Sequence, residues 1–319
     1  MNDRQIEYML TIAEEGSISS AAKKLFISQP SLSQMLINIE KQYGITLFNR
    51  SENPLTPTFA GQKFLESIRE ITQIEKRLKQ EFEEISGSYS GKISLGISST
   101  KALYILPAII PEFQKSFPKV ELNIIDGTNP ELEEMLLSRN IDLAVLNYTS
   151  FHNRLEYVKL PEEEMLLVLP KSHQIIQKAD TKKTKGLKEF LSLKMIANEP
   201  FIYLYPNHGV RIRVDNIFMT HGINPPKIFE VANNALAHTL VASGTGITIL
   251  PDSFIRYIAH NRQKCAYFSI SEGSFHRKAA ICFPSDPKLS KSMSFLVNLI
   301  QQKSFGLFKK ANISPLNNW

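Results

Sequence analysis

The chain holds only two cysteines in 319 residues, Cys265 and Cys282. They are too far apart for a CxxC pair and sit among apolar neighbours, which excludes a zinc ribbon or disulfide scaffold and favours buried, reduced thiols. No apolar run reaches the roughly 18 residues that a membrane span needs. The N-terminus, MNDRQIEYML, lacks the cationic start and apolar stretch of a secretory signal, so a cytoplasmic protein without a membrane partner is expected. There is no G-x-S-x-G, no H-E-x-x-H, no phosphate-binding Walker loop and no G-x-G-x-x-G after a strand, and the histidines show no ligand spacing. No catalytic residue, metal or cofactor is therefore expected, and the chain is read as a non-enzyme.

Basic charge is also missing where it would be most telling. The net charge is +6, yet residues 1–58 carry five basic against six acidic side chains, and residues 59–90 do the same. Residues 91–161 are at −1, 162–267 at +4 and 268–319 at +5. The excess in the C-terminal part fits an acidic ligand or a solvated surface better than it fits attraction of phosphates by the N-terminal end.

What is present is a stretch from Ser17 to Gly61 that parses as a winged helix-turn-helix. Ser19 is the expected N-cap of a short helix in which Ala21 and Ala22 leave room for a crossing helix. Ser28 caps a second helix, Pro30 fits its first turn, and Gly44 stops it. Leu32, Leu36, Ile39 and Tyr43 make one apolar stripe. The other face is left to Gln29, Ser31, Ser33, Gln34 and Asn38, short amide and hydroxyl groups suited to base edges in a major groove. Ile45 to Phe48 and Leu55 read as two short strands of a wing carrying Arg50, with a turn at Ser51 to Pro54. Thr56 then caps a new helix with Pro57 at its first position.

These residues, AAKKLFISQPSLSQMLINIE, then GITLF and Arg50, then LTPTFAG, resemble the N-terminal signature of LysR-type bacterial transcriptional regulators. The resemblance implies duplex DNA as ligand. That family usually has an Arg just after the second Ser of its S-x-S pair and further basic residues beyond; here Gln34, Ile37 and Asn38 stand in those places.

From Phe64 the positions Phe64, Ile68, Ile71, Glu75, Leu78, Phe82 and Ile85 alternate steps of four and three, a coiled-coil seam with one polar interruption. Paired half-sites read by a twofold dimer give that seam a use. Residues 86–91, SGSYSG, read as a hinge.

Beyond the hinge, strand and helix patterns alternate: strands at 92–97, 120–125, 141–146, 165–169, 201–204, 227–231, 247–250 and 279–283, with helices at 103–117, 130–138, 210–221, 235–243 and from Ser290. This is the rhythm of a parallel sheet with helices on both faces, repeated in two lobes. Ligands bind such sheets off the carboxyl ends of strands, near helix N-termini. Ser99 and Thr100 follow the first strand and Thr128 the second, while Pro206, His208, Arg211 and Asn233 occupy loops of the second lobe. His208 beside Arg211 is the pair most suited to a carboxylate. This part is similar to the LysR-type effector domain, itself like periplasmic binding proteins, through LP at 106–107, GT at 127–128 and VASGTGITILP at 241–251. The resemblance puts Thr100 and Thr128 at effector-contact positions and implies a tetramer.

The expected organisation is a mostly-α winged helix-turn-helix at 1–58, a linker helix and hinge at 59–90, a two-lobed α/β effector domain at 91–305 and a tail at 306–319. Lobe I is 91–161 with 268–305, and lobe II is 162–267. The expected function is a sequence-specific DNA-binding regulator sensing a small anionic metabolite. Its partners are a double-stranded operator, that effector, further copies of the chain, and RNA polymerase as a further candidate. The alternative is a metabolite-binding or enzymatic module with a non-functional helix-turn-helix.

Overall fold

The computed structural model describes residues 1–50, 54–85, 90–148, 150–178, 190–273, 275–286 and 289–311, with backbone alone at 73, 76–77, 79–81, 83–85, 177–178 and 308–311. The chain divides into two compact units that part at Ile85 and Ser86.

The N-terminal unit runs α1 (Asp3–Glu15), α2 (Ile18–Lys24), α3 (Gln29–Tyr43), β1 (Phe48–Asn49), β2 (Thr56–Pro57) and α4 (Phe59–Ile85). Asn2 and Gln5 cap α1 reciprocally, and Gly16, at φ 56°, ends it. Ser17, not Ser19, caps α2, because its hydroxyl accepts from Ser20 N at 3.3 Å and the helix starts one residue later. Ser28 and Gly44 bound α3 as expected. Ala21, Ala22, Leu32, Leu36 and Ile39 are buried with Met9, Ile12, Leu47 and Phe48. Tyr43 leaves the expected stripe: it is half-exposed and meets Phe64 edge-on, centroids 5.2 Å apart.

The wing is shifted from its expected place. Ile45 is exposed, β1 begins at Phe48, and Thr56 and Pro57 form β2 rather than opening a helix. Thr58 takes the cap instead. Its Oγ1 accepts from Gly61 N at 3.0 Å and donates to Thr46 O at 2.8 Å, while its own N donates to Leu47 O. The helix can start only where this last rung of the wing ends. Gly61 is required there, since a Cβ would lie 1.9 Å from the Leu47 carbonyl oxygen. The expected turn at 51–54 lies, save Pro54, outside the described residues.

The expected seam is divided. Leu65 and Ile68 are buried in the unit's own core with Phe64 packed against them, so the first two seam positions are spent inside the chain. Ile71, Ile74, Leu78 and Phe82 remain exposed on the rest of α4.

In the C-terminal unit, lobe I contains β3 (Ser90–Ile97), α5 (Ser99–Ser116), β4 (Lys119–Ile125), α6 (Asn129–Leu137), β5 (Leu143–Asn147) and β6 (Leu155–Lys159). Lobe II follows with β7 (Glu163–Pro170), α7 (Ile175–Lys178), β8 (Phe190–Leu191), β9 (Phe201–Leu204), α8 (Gly209–His221), β10 (Lys227–Val231), α9 (Asn234–Ala242), β11 (Thr248–Pro251), α10 (Asp252–Tyr257), β12 (Cys265–Ile270) and β13 (His276–Arg277). The chain returns to lobe I with β14 (Ala279–Pro284) and α11 (Lys291–Ala311).

The two-lobed α/β architecture is the expected one, but the sheets are mixed. Lobe I has the order β4-β3-β5-β14-β6, parallel among β3, β4 and β5, and antiparallel where the returning β14 meets β5 and β6. In lobe II, β9 and β10 are parallel, whereas β7 runs antiparallel to β11, β12 and β13. Because β12 pairs with β7 and runs on to Ile270, the return to lobe I falls after that strand rather than at 267–268. Ser90 and Gly91, expected in the hinge, open β3, and 86–89 lie outside the described residues. Helix α11 continues through Ala311, taking in the first part of the expected tail; 312–319 lie outside the described residues.

Candidate DNA-reading face and effector cleft

On the N-terminal unit, the apolar side of α3 is consumed by the core, which turns its other side outward. Ser28, Gln29, Pro30, Ser31, Gln34 and Asn38 are exposed, and Ser33 is half-buried. Ser28 Oγ lies 2.7 Å from Ser31 Oγ and accepts from Ser31 N, and Gln34 Nε2 donates to Asn38 Oδ1 at 3.0 Å. The face is thus a row of uncharged donors and acceptors at the N-terminal end of a helix, chemistry that matches base edges and one phosphate. In the wing, Arg50 donates through Nη2 to Glu40 Oε2 at 2.7 Å, and Glu40 Oε1 accepts from Leu47 N at 2.7 Å. Arg50 therefore anchors the wing to α3 through a carboxylate that would otherwise repel phosphate. Thr56 and Pro57 stand half-buried in the wing strand.

On the C-terminal unit, the strand ends of the two lobes converge. Thr100 Oγ1, after β3, accepts from Asn234 Nδ2 at the start of α9, 3.4 Å away across the lobes. Ser99 donates to Asp126 after β4. Thr128 donates from both N and Oγ1 to Glu131 Oε2, each at 2.8 Å, so its hydroxyl proton is committed to a carboxylate in the first turn of α6. Asn233 caps α9, and Pro206 is exposed in its loop.

His208 and Arg211, the pair expected to suit a carboxylate, are each already engaged within the chain. His208 Nδ1 accepts from Val210 N at 3.2 Å and caps α8, which puts the ring proton on Nε2. Burial, and then the charge of Arg277, push its pKa down to about 4, so the ring is neutral at pH 7. Arg211 bonds to both oxygens of Asp215 at 2.7 and 2.8 Å, to Glu230 at 2.7 Å and to Leu204 O, and lies over the Tyr203 ring. Two carboxylates already neutralise it.

Two further guanidinium groups lie in the same unit, on Arg213 and Arg277. Arg277 Nη2 donates to the buried Glu163 at 2.6 Å, and Arg213 Nη2 to His276 O at 3.2 Å. The Nε of each guanidinium is buried without a partner, as are Oδ1 of Asn147 and Oδ1 of Asn234. Asn147 ends β5, held by Asn129 after β4. Lys101 and Arg277 together neutralise Glu163, and Arg213 reaches the strand that carries Arg277. Asn234 was legible in principle: once Asn233 is the cap, the next residue turns inward. Arg213 and Arg277 carry no local signal, since their roles depend on Glu163 and His276 from distant strands. Among the described residues no cluster of His, Cys, Asp and Glu could hold a metal ion, and no helix is long and apolar enough to cross a membrane.

Comparison with known proteins agrees with this layout. Residues 4–62 match the bacterial regulatory helix-turn-helix protein, lysR family, and residues 86–304 match the LysR substrate binding domain. The chain is 31% identical to the uncharacterized HTH-type transcriptional regulator YcgK of Bacillus subtilis, over 79% of this chain and 80% of that one. In fold it is similar to a full-length OxyR variant from Pseudomonas aeruginosa, with a TM-score of 0.69 at 18% identity over 95% and 94% of the two chains. Full-length CbnR complexed with its target DNA gives 0.58 at 23% identity over 95% and 100%. Family models match both units of the chain, and the chain belongs to the LysR family of DNA-binding transcription regulators with an effector-binding domain.

Proposed function

We propose that the protein reads paired half-sites of duplex DNA as a homodimer, through the exposed polar face of α3, and that its C-terminal unit senses a small anionic metabolite held between the lobes. The observation that carries the anionic reading is the pair of buried, unpartnered Nε donors on Arg213 and Arg277, in the same unit as the unpartnered amide oxygens of Asn147 and Asn234. A buried donor left unpaired costs about 1–3 kcal/mol, a cost that an acceptor on a bound anion would relieve. A carboxylate or phosphate accepts from guanidinium, while a hydroxyl or amine elsewhere on the same molecule satisfies the amide oxygens. For such a ligand to act on DNA it must favour one arrangement of lobes or subunits over another.

The test is the melting temperature of the full chain against small organic acids, sugar phosphates, amino acids and neutral sugars. A ligand at about a hundred times its Kd should raise melting by roughly 5–10 °C, and Arg213→Met should abolish the rise. Stabilisation by neutral compounds alone would overturn the anionic reading.

A further inference from the structure

Phe26, in the turn between α2 and α3, has φ 54° and is 96% exposed. The turn closes α2 in the manner of a Schellman motif: Phe26 N donates to Lys23 O at 3.2 Å and Ile27 N to Ala22 O at 3.0 Å. The residue in the left-handed position of such a motif is normally glycine or asparagine, because a larger side chain crowds its own backbone. In helix-turn-helix units the turn often contains glycine for this reason. Here a phenylalanine occupies the left-handed position, and its ring gains almost nothing from burial within the chain.

The ring stands two residues before the Ser28 cap and three before Gln29, continuous with the exposed end of the reading helix. We propose that Phe26 is a DNA-contacting residue, its ring packing on the apolar wall of the major groove formed by deoxyribose carbons and thymine methyl groups. A head that carries no net positive charge has little phosphate attraction to rely on, and apolar contact with thymine methyls is an established way for a side chain to add affinity. The proposal rests on α3 being the reading helix, as argued above.

The test uses the full-length protein and a duplex selected from a random library by the wild-type chain. Phe26→Asn, which suits the left-handed backbone, should weaken binding roughly 3- to 10-fold, the size of a modest apolar contact. Its melting temperature should be equal or higher, its mass by light scattering unchanged, and the salt dependence of its affinity unchanged, since no phosphate charge is lost. Undiminished affinity would overturn the proposal, and so would a loss accompanied by lower melting or altered mass, which would show the ring serving the fold or a second copy. Gln29→Ala on the same duplex separates the two readings. A loss there with none for Phe26→Asn sinks only the role of Phe26, and no loss in either sinks the reading helix itself.

Discussion

Lys101 Nζ lies 3.0 Å from both carboxylate oxygens of Glu163, a buried ion pair that ties the first helix of lobe I to the first strand of lobe II. Arg277, Ser253 and Tyr104 add hydrogen bonds to the same carboxylate. Burial alone would raise the Glu163 pKa; the charges of Lys101 and Arg277 outweigh it and hold the carboxyl well below the usual range. Glu163→Gln leaves two cations without their counter-charge and should cost about 3–5 kcal/mol. Lys101→Met should cost less, because Arg277 still faces the carboxylate. Calorimetry on the full chain checks the order; equal melting of Glu163→Gln and wild type would refute this account of the lobe junction.

Acid should act on the same unit in two opposed ways. His208 and His238 are pushed down to about 4, chiefly by burial, so the unfolded chain binds their protons first and stability falls as pH drops from about 6.5 to 4. Asp252 is pushed up to about 6, again by burial, and does the reverse: the folded state takes its proton first, adding stability as pH falls through 6 towards 3.8. Melting curves from pH 7 to 4 should therefore flatten in His238→Gln, which loses the bond to Tyr267, and steepen in Asp252→Asn. A His238→Gln profile parallel to wild type would show that its protonation is not coupled to unfolding.

Both thiols should be inert in the folded protein. Cys265 is pushed up to about 11 and Cys282 to about 12, in each case mainly by burial, so little thiolate exists at pH 8. A disulfide reagent at pH 8 should label neither until denaturant is added. Rapid labelling of one thiol in the native state would show that burial does not hold that thiol inert.

The elements were legible where local chemistry decides them. Ser28, Pro30 and Gly44 bound α3 in the sequence as in the structure, and Phe201–Leu204 and Lys227–Val231 carry enough apolar and β-branched residues to declare themselves. What was hidden depends on distant partners. The strand Cys265–Ile270 is buried at all six positions, with no alternation to mark it, and its pairing with β7 and β8 assigns it to lobe II. Thr56 and Pro57 look like a cap and first turn, yet pairing with Phe48 and Asn49 claims them for the wing. Arg211 looks like a free anion ligand until Asp215 and Glu230 are seen to hold it.

Gly61 is a steric requirement that the motif LTPTFAG conceals. A methyl there would meet the Leu47 carbonyl oxygen at 1.9 Å, too close for any rotamer to relieve. Gly61→Ala must push α4 away from the wing and should cost roughly 1–3 kcal/mol as overpacking. The loss should appear in the melting of the N-terminal unit and in operator affinity together, because the wing and α3 share Glu40 through Leu47 N and Arg50. Lost affinity with unchanged melting would mean that the glycine acts at the DNA rather than in packing.

The distal part of α4 supplies the sharpest test of assembly. Ile71, Ile74, Leu78 and Phe82 advance by three, four and four residues, one stripe along the helix, and are between 42% and 61% exposed. Four large apolar side chains in a row cost solubility in a lone chain and gain about 1.5–3 kcal/mol each when fully buried against a second helix. Since Phe64 and Ile68 pack in their own unit, a pairing seam on α4 would lie C-terminal to them. Leu78→Asp with Phe82→Asp should then give monomers by light scattering and weaken binding to a two-half-site duplex far more than to a single half-site. Phe64→Asp should instead lower melting without this selectivity, because it faces the chain's own core. A double variant that remains dimeric would place the subunit contact elsewhere and leave the stripe without an assigned role.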